Sequence, residues 1–427
     1  MASEDPQVDP RAGLSRRDLL KRGGALFGAV AIGGSLAAAC GGGDDGGEAA
    51  APPADEGATP PAETGAAPPP AGGGGSGGTV NWLSWPGHND PSFIQPFTDE
   101  TGIQVRGKEY SGGDNMLALA TTSPPGTYDV VQADAEYIVQ LKDAGLLDPI
   151  DPAEFPELND YADEFKPEGE LVPGLVLDGD VYGLIQRFGF LGLAYNSDHV
   201  TEDEAQSYEI LFDPKVQGKV GWFDWWAHMG PIGLWEGAKG SWWPAGELDP
   251  YNIDEDQFNT MVDTGKSLKP ATAGFYSIAD LFGVFANEEI WIQPAGGGWT
   301  ALLLEAEGHP IKASVPKEGA IQWTETLGIF KDAQNKDQAK EFIHYAIGPR
   351  GQMQTAILPA YQAEIPNTAG WELIAQEQPD WVDRLDLSAE SPNILDLYNE
   401  GIISIRKLPV QQSIEDWNDA WTEFKAS

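Results

Sequence analysis

Val80-Asn81-Trp82-Leu83-Ser84-Trp85, the segment Ser92 to Thr101, and Ile103-Gln104-Val105-Arg106-Gly107-Lys108 form the stretch from which the fold is legible. The first and third runs are short and rich in β-forming residues, which predicts two strands. The segment between them is amphipathic and closes at Gly102, which predicts a helix. The same alternation continues downstream. Tyr128 to Gln132 reads as a nearly all-apolar third strand, and Ala135 to Ala144 as a helix stopped by Gly145. Asp254, three residues before Gln257, predicts a capping box opening a helix over Glu255 to Leu268. A further helix is expected from Lys336 to Ala346, ending before Gly348-Pro349. Strands alternating with helices predict an α/β protein with a parallel sheet covered by helices.

The chain has 427 residues, 41% of them hydrophobic, enough for one large core or two modest ones. Its 67 acidic residues outnumber 25 lysines and arginines, for a formal charge of -42. Nucleic acid and anionic lipid surfaces are poor partners for such a chain, because both call for a basic patch. Cys40 is the single cysteine, which excludes a disulfide framework and a cysteine-rich metal site. Past it, no apolar run reaches the roughly 18 residues a transmembrane helix needs.

The first 78 residues read as an address and a tether. Ser15-Arg16-Arg17-Asp18-Leu19-Leu20-Lys21 is similar to a twin-arginine export motif, and a Gly/Ala-rich apolar stretch follows from Gly23 to Ala39. Leu36-Ala37-Ala38-Ala39-Cys40 resembles a lipobox, with Ala37 where an aliphatic residue is usual, so Cys40 is the expected lipidation site. Residues 41–78 are almost entirely Gly, Ala, Pro, Asp, Glu and Thr and are expected to form a disordered tether. Membrane contact is expected only through that anchor, on the outer side of the cell membrane.

Signatures of catalysis are missing. The five histidines show no H-E-x-x-H or i, i+4 pairing. Gly265-Lys266-Ser267 lacks the first P-loop glycine, Thr260 standing in its place, and Asp254-Glu255-Asp256 lacks the turn glycine of a calcium loop. No cofactor or metal is called for. A cell-surface enzyme is the distant alternative, since catalytic residues can be assembled in space.

Three stretches carry a resemblance. They are Phe97-Thr98-Asp99-Glu100-Thr101-Gly102-Ile103-Gln104-Val105; Tyr128-Asp129-Val130-Val131 through Ala144-Gly145-Leu146-Leu147-Asp148-Pro149-Ile150-Asp151; and Gly308-His309-Pro310-Ile311, Val315-Pro316-Lys317-Glu318-Gly319, Trp323 and Asn335-Lys336. Together they resemble the spermidine/putrescine-binding proteins of ABC importers. The resemblance implies a type II periplasmic-binding-protein fold, two α/β lobes joined by a multi-segment hinge. It implies a first lobe of residues 79–189 with 325–369 and a second of 190–324 with 370–427. The chain would cross near Gly189 to Leu193, return near Trp323 to Leu327, and cross again around Asn367. It implies a monomer that delivers its solute to an ABC permease and is not an enzyme.

The same resemblance points to a ligand site. Trp85, Trp323 and Tyr361 match site aromatics, and Glu325 stands where the family has an aspartate that pairs with a ligand amine. Gly87, Trp225 and His228 fall at positions that are acidic in spermidine-binding members, so those charges are lost. Asp134 and Glu136 could restore two of them or cap the following helix. Trp85, Trp225, Trp226, Trp299 and Trp323 could offer cation–π faces, or simply pack the core. A small cationic amine, polyamine-like, is the solute expected. The alternative is an anionic carboxylate or phosphonate held by Arg187 and His88; the simpler reading of Arg187 is an internal salt bridge.

Overall fold

A computed structural model describes residues 77–427, apart from 168, 170–173, 245, 383, 386–396, 398 and 399. The export motif, Cys40 and all but the last two residues of the expected tether lie outside the described residues.

Strand β1 (Gly78–Ser84) is followed by the helix Pro91–Thr101, whose start is fixed by Asp90: its carboxylate accepts from the Ser92 N–H at 2.8 Å, and Pro91 occupies the first turn. The helix ends where Gly102 takes φ 73°, a left-handed conformation glycine adopts without penalty, and β2 (Ile103–Glu109) begins at once. The helix Gly113–Thr122 leads to β3 (Val130–Asp134), and the helix Ala135–Asp143 to β4 (Leu147–Asp148). A two-stranded ribbon of β5 (Val176–Leu177) and β6 (Asp180–Val181) precedes β7 (Leu184–Leu191).

At Gly192 the chain changes sheets. A side chain there would put its Cβ 2.2 Å from the Ser314 carbonyl oxygen, so only glycine lets the two crossing segments run this close. The second sheet contains β8 (Leu193–Asn196), β9 (Val220–Phe223), β10 (Thr272–Tyr276), β11 (Ile292–Pro294) and β12 (Ile311–Ser314), in the order β10-β9-β11-β8-β12. The chain then returns through β13 (Ala320–Phe330) and later β14 (Ile403–Ile405), giving a first sheet ordered β14-β13-β3-β1-β2, with β4 and β7 also paired to β13.

One expectation is corrected. The sheets are mixed rather than parallel: β1 runs parallel to β2 and β3, but β13 runs antiparallel to β3, β4 and β7. The reason is the long return from the second sheet, which re-enters the first from the opposite end. β13 pairs with β14 at Ala320 to Gln322 and with β3 from Glu325 to Ile329. The last helix, Ile414–Ala426, packs on the second lobe, where Trp417 meets Trp226 at 5.7 Å and Phe424 meets Trp222 at 5.4 Å between ring centroids, and the segment before it does so too, with the Val410 N–H donating to the Tyr251 carbonyl at 2.9 Å and the Gln412 amide to the Ile253 carbonyl at 2.8 Å.

The capping box at Asp254 forms as expected, with reciprocal bonds of 2.9 and 2.8 Å between Asp254 and Gln257, and the helix runs Glu255–Ser267. The helix Lys336–Ile347 likewise ends just before Gly348. Among the described residues, no helix is long and apolar enough to cross a membrane.

Candidate functional site

The carboxyl ends of β1, β3, β9 and β10 point toward one another, and a crevice between two sheets at such ends is where ligands of α/β proteins bind. A cleft opens there. Its first-lobe wall is Trp85, Asp134, Arg187, Leu191, Trp323, Glu325, Tyr361 and Arg406; its second-lobe wall is Phe223, Trp225, His228, Ile278 and Trp299. Rings meet across it, Trp85 with Trp225 at 6.5 Å and Trp299 with Tyr361 at 6.3 Å.

Strand register explains how the charged residues come together. On β13, Glu325 lies opposite Asp134 of β3 on one side and opposite Arg187 of β7 on the other. β3 covers β13 from Glu325 to Ile329, and β14 covers Ala320 to Gln322 on the same edge. Because β3 and β14 run in opposite directions along β13, their carboxyl ends face each other, and Arg406, just past β14, reaches Asp134 and Glu136. Trp323 and Glu325, two residues apart on one strand, point to the same face. Trp323 lies over Gly189 of β7, where an added Cβ would meet its ring at 2.6 Å.

Each carboxylate is already engaged. Glu325 accepts from Arg187 Nε at 2.8 Å and Nη2 at 3.0 Å, a two-point grip on a pair that is buried on both sides. Arg187 also donates to the Tyr361 carbonyl at 2.8 Å and to His88 Nε2 at 2.6 Å. Since a guanidinium only donates, His88 is the acceptor and its proton sits on Nδ1. Burial, then the Arg187 charge, holds its pKa well below the usual range, so the ring is neutral. Arg406 donates through Nε to Glu136 at 2.6 Å and through Nη2 to Asp134. Both arginines lie near tryptophan rings, Arg187 at 5.4 Å from the Trp323 centroid and Arg406 at 4.8 Å from that of Trp225.

Burial dominates the titration of these groups. It pushes the Asp134 carboxyl up to about 8, with the charges of Glu136 and Glu325 adding and Arg406 opposing. Glu136 is raised too, chiefly by burial and against Arg406. His228 is pushed down to about 3 by burial and then by Arg406, and is neutral. Several buried polar atoms of the cleft residues have no protein partner: Asp134 Oδ2, His228 Nδ1, and the indole nitrogens of Trp85, Trp225 and Trp323.

Of the residues singled out from the sequence, Trp85, Asp134, Trp225, Trp323, Glu325 and Tyr361 are all brought together in the cleft wall, with Arg187 among them. Glu136 stands behind the wall, on Arg406. His88 is buried at 2% exposure behind Arg187 and does not line the cleft. Asp134 occupies the first cap position of the helix Ala135–Asp143, but its side chain makes no capping bond and serves Arg406 instead. Trp226 is core, packed between Tyr251 and Trp417. Arg406 was not foreseen. Its signal was available: an arginine closing the β-rich run Ile402-Ile403-Ser404-Ile405, in a chain short of cations and with two acids, Asp134 and Glu136, beside a buried strand.

The family model for bacterial extracellular solute-binding proteins matches residues 92–383. The chain belongs to this family. The spermidine/putrescine-binding periplasmic protein of Escherichia coli is 25% identical over 305 residues, covering 70% of this chain and 80% of that protein. The putrescine-binding periplasmic protein SpuD of Pseudomonas aeruginosa is 22% identical over 312 residues, covering 69% and 79%. Among solved structures, a putative spermidine/putrescine ABC transporter protein from Listeria monocytogenes superposes with a TM-score of 0.66 at 20% identity, over 81% of this chain and 98% of that one. The fold of this solute-binding protein is therefore the two-lobed type II periplasmic-binding-protein fold. Its relatives are binding proteins rather than enzymes.

Proposed function

We propose that this solute-binding protein captures a small solute bearing an ammonium group between its lobes and delivers it to the permease of an ABC importer. One observation carries the reading: Asp134, 3% exposed, lines an aromatic cleft with one carboxylate oxygen left without a protein partner. A buried carboxylate oxygen is costly unless a donor reaches it, and an ammonium meets that need while the rings of Trp85, Trp225 and Trp323 replace its water. The formal charge of -42 favours encounter with a cation. The names of the relatives, which bind spermidine and putrescine, point the same way. The anionic reading through Arg187 and His88 is weaker, because Arg187 spends its donors on Glu325, Tyr361 and His88.

The test is pH-resolved calorimetry with primary alkylamines on the full chain. In the empty protein the raised pKa of Asp134 means that the folded state binds its proton more tightly than the unfolded one, so stability contributed by this group falls as pH rises from about 4 to about 8. An ammonium, itself protonated up to about pH 10, selects the ionised carboxyl. Amine affinity is therefore expected to rise by up to about tenfold per pH unit through neutrality and to level off above about pH 8, with a proton released on binding. A flat profile without proton release overturns the role of Asp134.

We further propose that the chain is a lipoprotein monomer held to the outer side of the membrane through Cys40, acting by hinge closure of its lobes. Membrane fractionation should find the unaltered chain attached and Cys40→Ala released or unprocessed. Equal partitioning of the two removes the anchor.

A further inference from the structure

The polar atoms of the cleft wall are unbalanced in a direction that a plain amine does not satisfy. An amine or polyamine brings only donors, and it finds few acceptors. Both oxygens of Glu325 are taken by Arg187. Glu136 does not line the cleft, and Asp134 offers a single free oxygen. There is one place for an ammonium, and a second along the same chain would have no carboxylate. The donors are in surplus. The indole N–H groups of Trp85, Trp225 and Trp323 have no protein acceptor, although these residues are only 6 to 8% exposed. Arg406 lines the cleft and is equally buried, and its described bonds run from Nε to Glu136 and from Nη2 to Asp134, leaving Nη1 without a protein acceptor among the described residues. Its guanidinium lies against the Trp225 ring, so the free edge of a fixed cation and an indole N–H belong to neighbouring groups.

We infer that the solute is zwitterionic, carrying a carboxylate or similar acid group that Arg406 Nη1 and the tryptophan N–H groups receive, together with the ammonium held at Asp134. This rests on the amine reading given above and narrows its substrate class. The two arginines are part of the logic. Each is held by a carboxylate and a tryptophan face, which is the environment that would otherwise hold an ammonium. The protein thus fills those places with its own cations, and one of them keeps an edge for an anion. Buried indole N–H groups beside the open edge of a guanidinium favour a ligand that supplies acceptors, and penalise one that leaves the indoles unpaired.

Calorimetry on the full chain with length-matched sets of ω-aminoalkanoates, α,ω-diamines and alkanoates of two to six carbons tests this. The expected result is one aminoalkanoate binding at least about 100-fold more tightly than the diamine and the alkanoate of its length, the size expected when buried donors are left unpaired. Because Arg406→Gln could fail to fold with Asp134 and Glu136 unpaired, the informative variants are Arg406→Lys and Trp225→Phe. Arg406→Lys keeps the charge but replaces the planar fork by a single ammonium, which cannot serve Asp134, Glu136 and a solute acid group together; Trp225→Phe keeps a ring and removes the N–H. Both should lower aminoalkanoate affinity more than diamine affinity on the same variant, shrinking the preference for aminoalkanoate over diamine by about tenfold or more. Diamines binding as tightly as aminoalkanoates overturn this inference and leave the amine reading standing. Alkanoates binding as tightly as aminoalkanoates overturn the amine reading instead. Failure of all three sets overturns both.

Discussion

Glu325→Gln is expected to destabilise the protein by about 3 to 5 kcal/mol in denaturant unfolding, because it leaves the Arg187 guanidinium buried without its counter-charge. Removing one member of a buried ion pair costs more than the pair itself contributes, since the desolvation already suffered by the survivor is no longer offset. Arg187→Met should cost a similar amount by stranding Glu325. The double variant Arg187→Met/Glu325→Leu separates the two terms. It should recover most of the loss and remain about 1 to 2 kcal/mol below the unaltered protein, because His88 Nε2 and the Tyr361 carbonyl still lose their donor. Single-variant losses under about 1 kcal/mol would mean that water reaches the pair. That result would also reopen Glu325 as a direct partner for a solute, as the family resemblance implies.

Asp134→Asn is expected to weaken binding of an ammonium-bearing solute by about 2 to 5 kcal/mol, the range for truncating one partner of a buried charged pair. The variant retains size and shape, so the cleft persists, but the amide cannot supply the anionic oxygen. Its decisive readout is the pH profile. Because the group pushed up to about 8 is gone, the rise of affinity through neutrality and the release of a proton on binding should both vanish. Weaker binding with an unchanged pH slope would place the titrating group elsewhere, with Glu136 the next candidate since its carboxyl is also raised by burial.

Local features account for the parts of this protein that were legible in advance. The β1–helix–β2 unit is a local pattern, and Asp90, Gly102 and the Asp254–Gln257 box act within one helical turn, so their bonds follow from spacing. Trp85, Trp323, Tyr361 and Glu325 were reachable because they stand in segments whose likeness to a family extends over many residues. Strand direction was less legible, because both α/β sheets are built from similar strands and nothing local tells a strand which neighbour it will join or in which direction. Arg406 lay in the part of the chain where the resemblance is loosest.

Composition and local pattern set the class of this protein: alternating strands and helices, a single cysteine behind an export-like segment, a strongly acidic charge, an abundance of tryptophan, and family motifs running through the folded part. Which charges remain for a solute depends on how distant segments pack. Arg187 and Glu325 are 138 residues apart, and Arg406 is 272 residues from Asp134 and 270 from Glu136. Their pairing depends on three strands from distant parts of the chain lining up beside β13 with a particular register, and on β3 and β14 meeting end to end. Register is a cooperative property of the whole sheet, set by which faces must be buried. Whether a carboxylate is free or spent is therefore written in the packing and not in the residue.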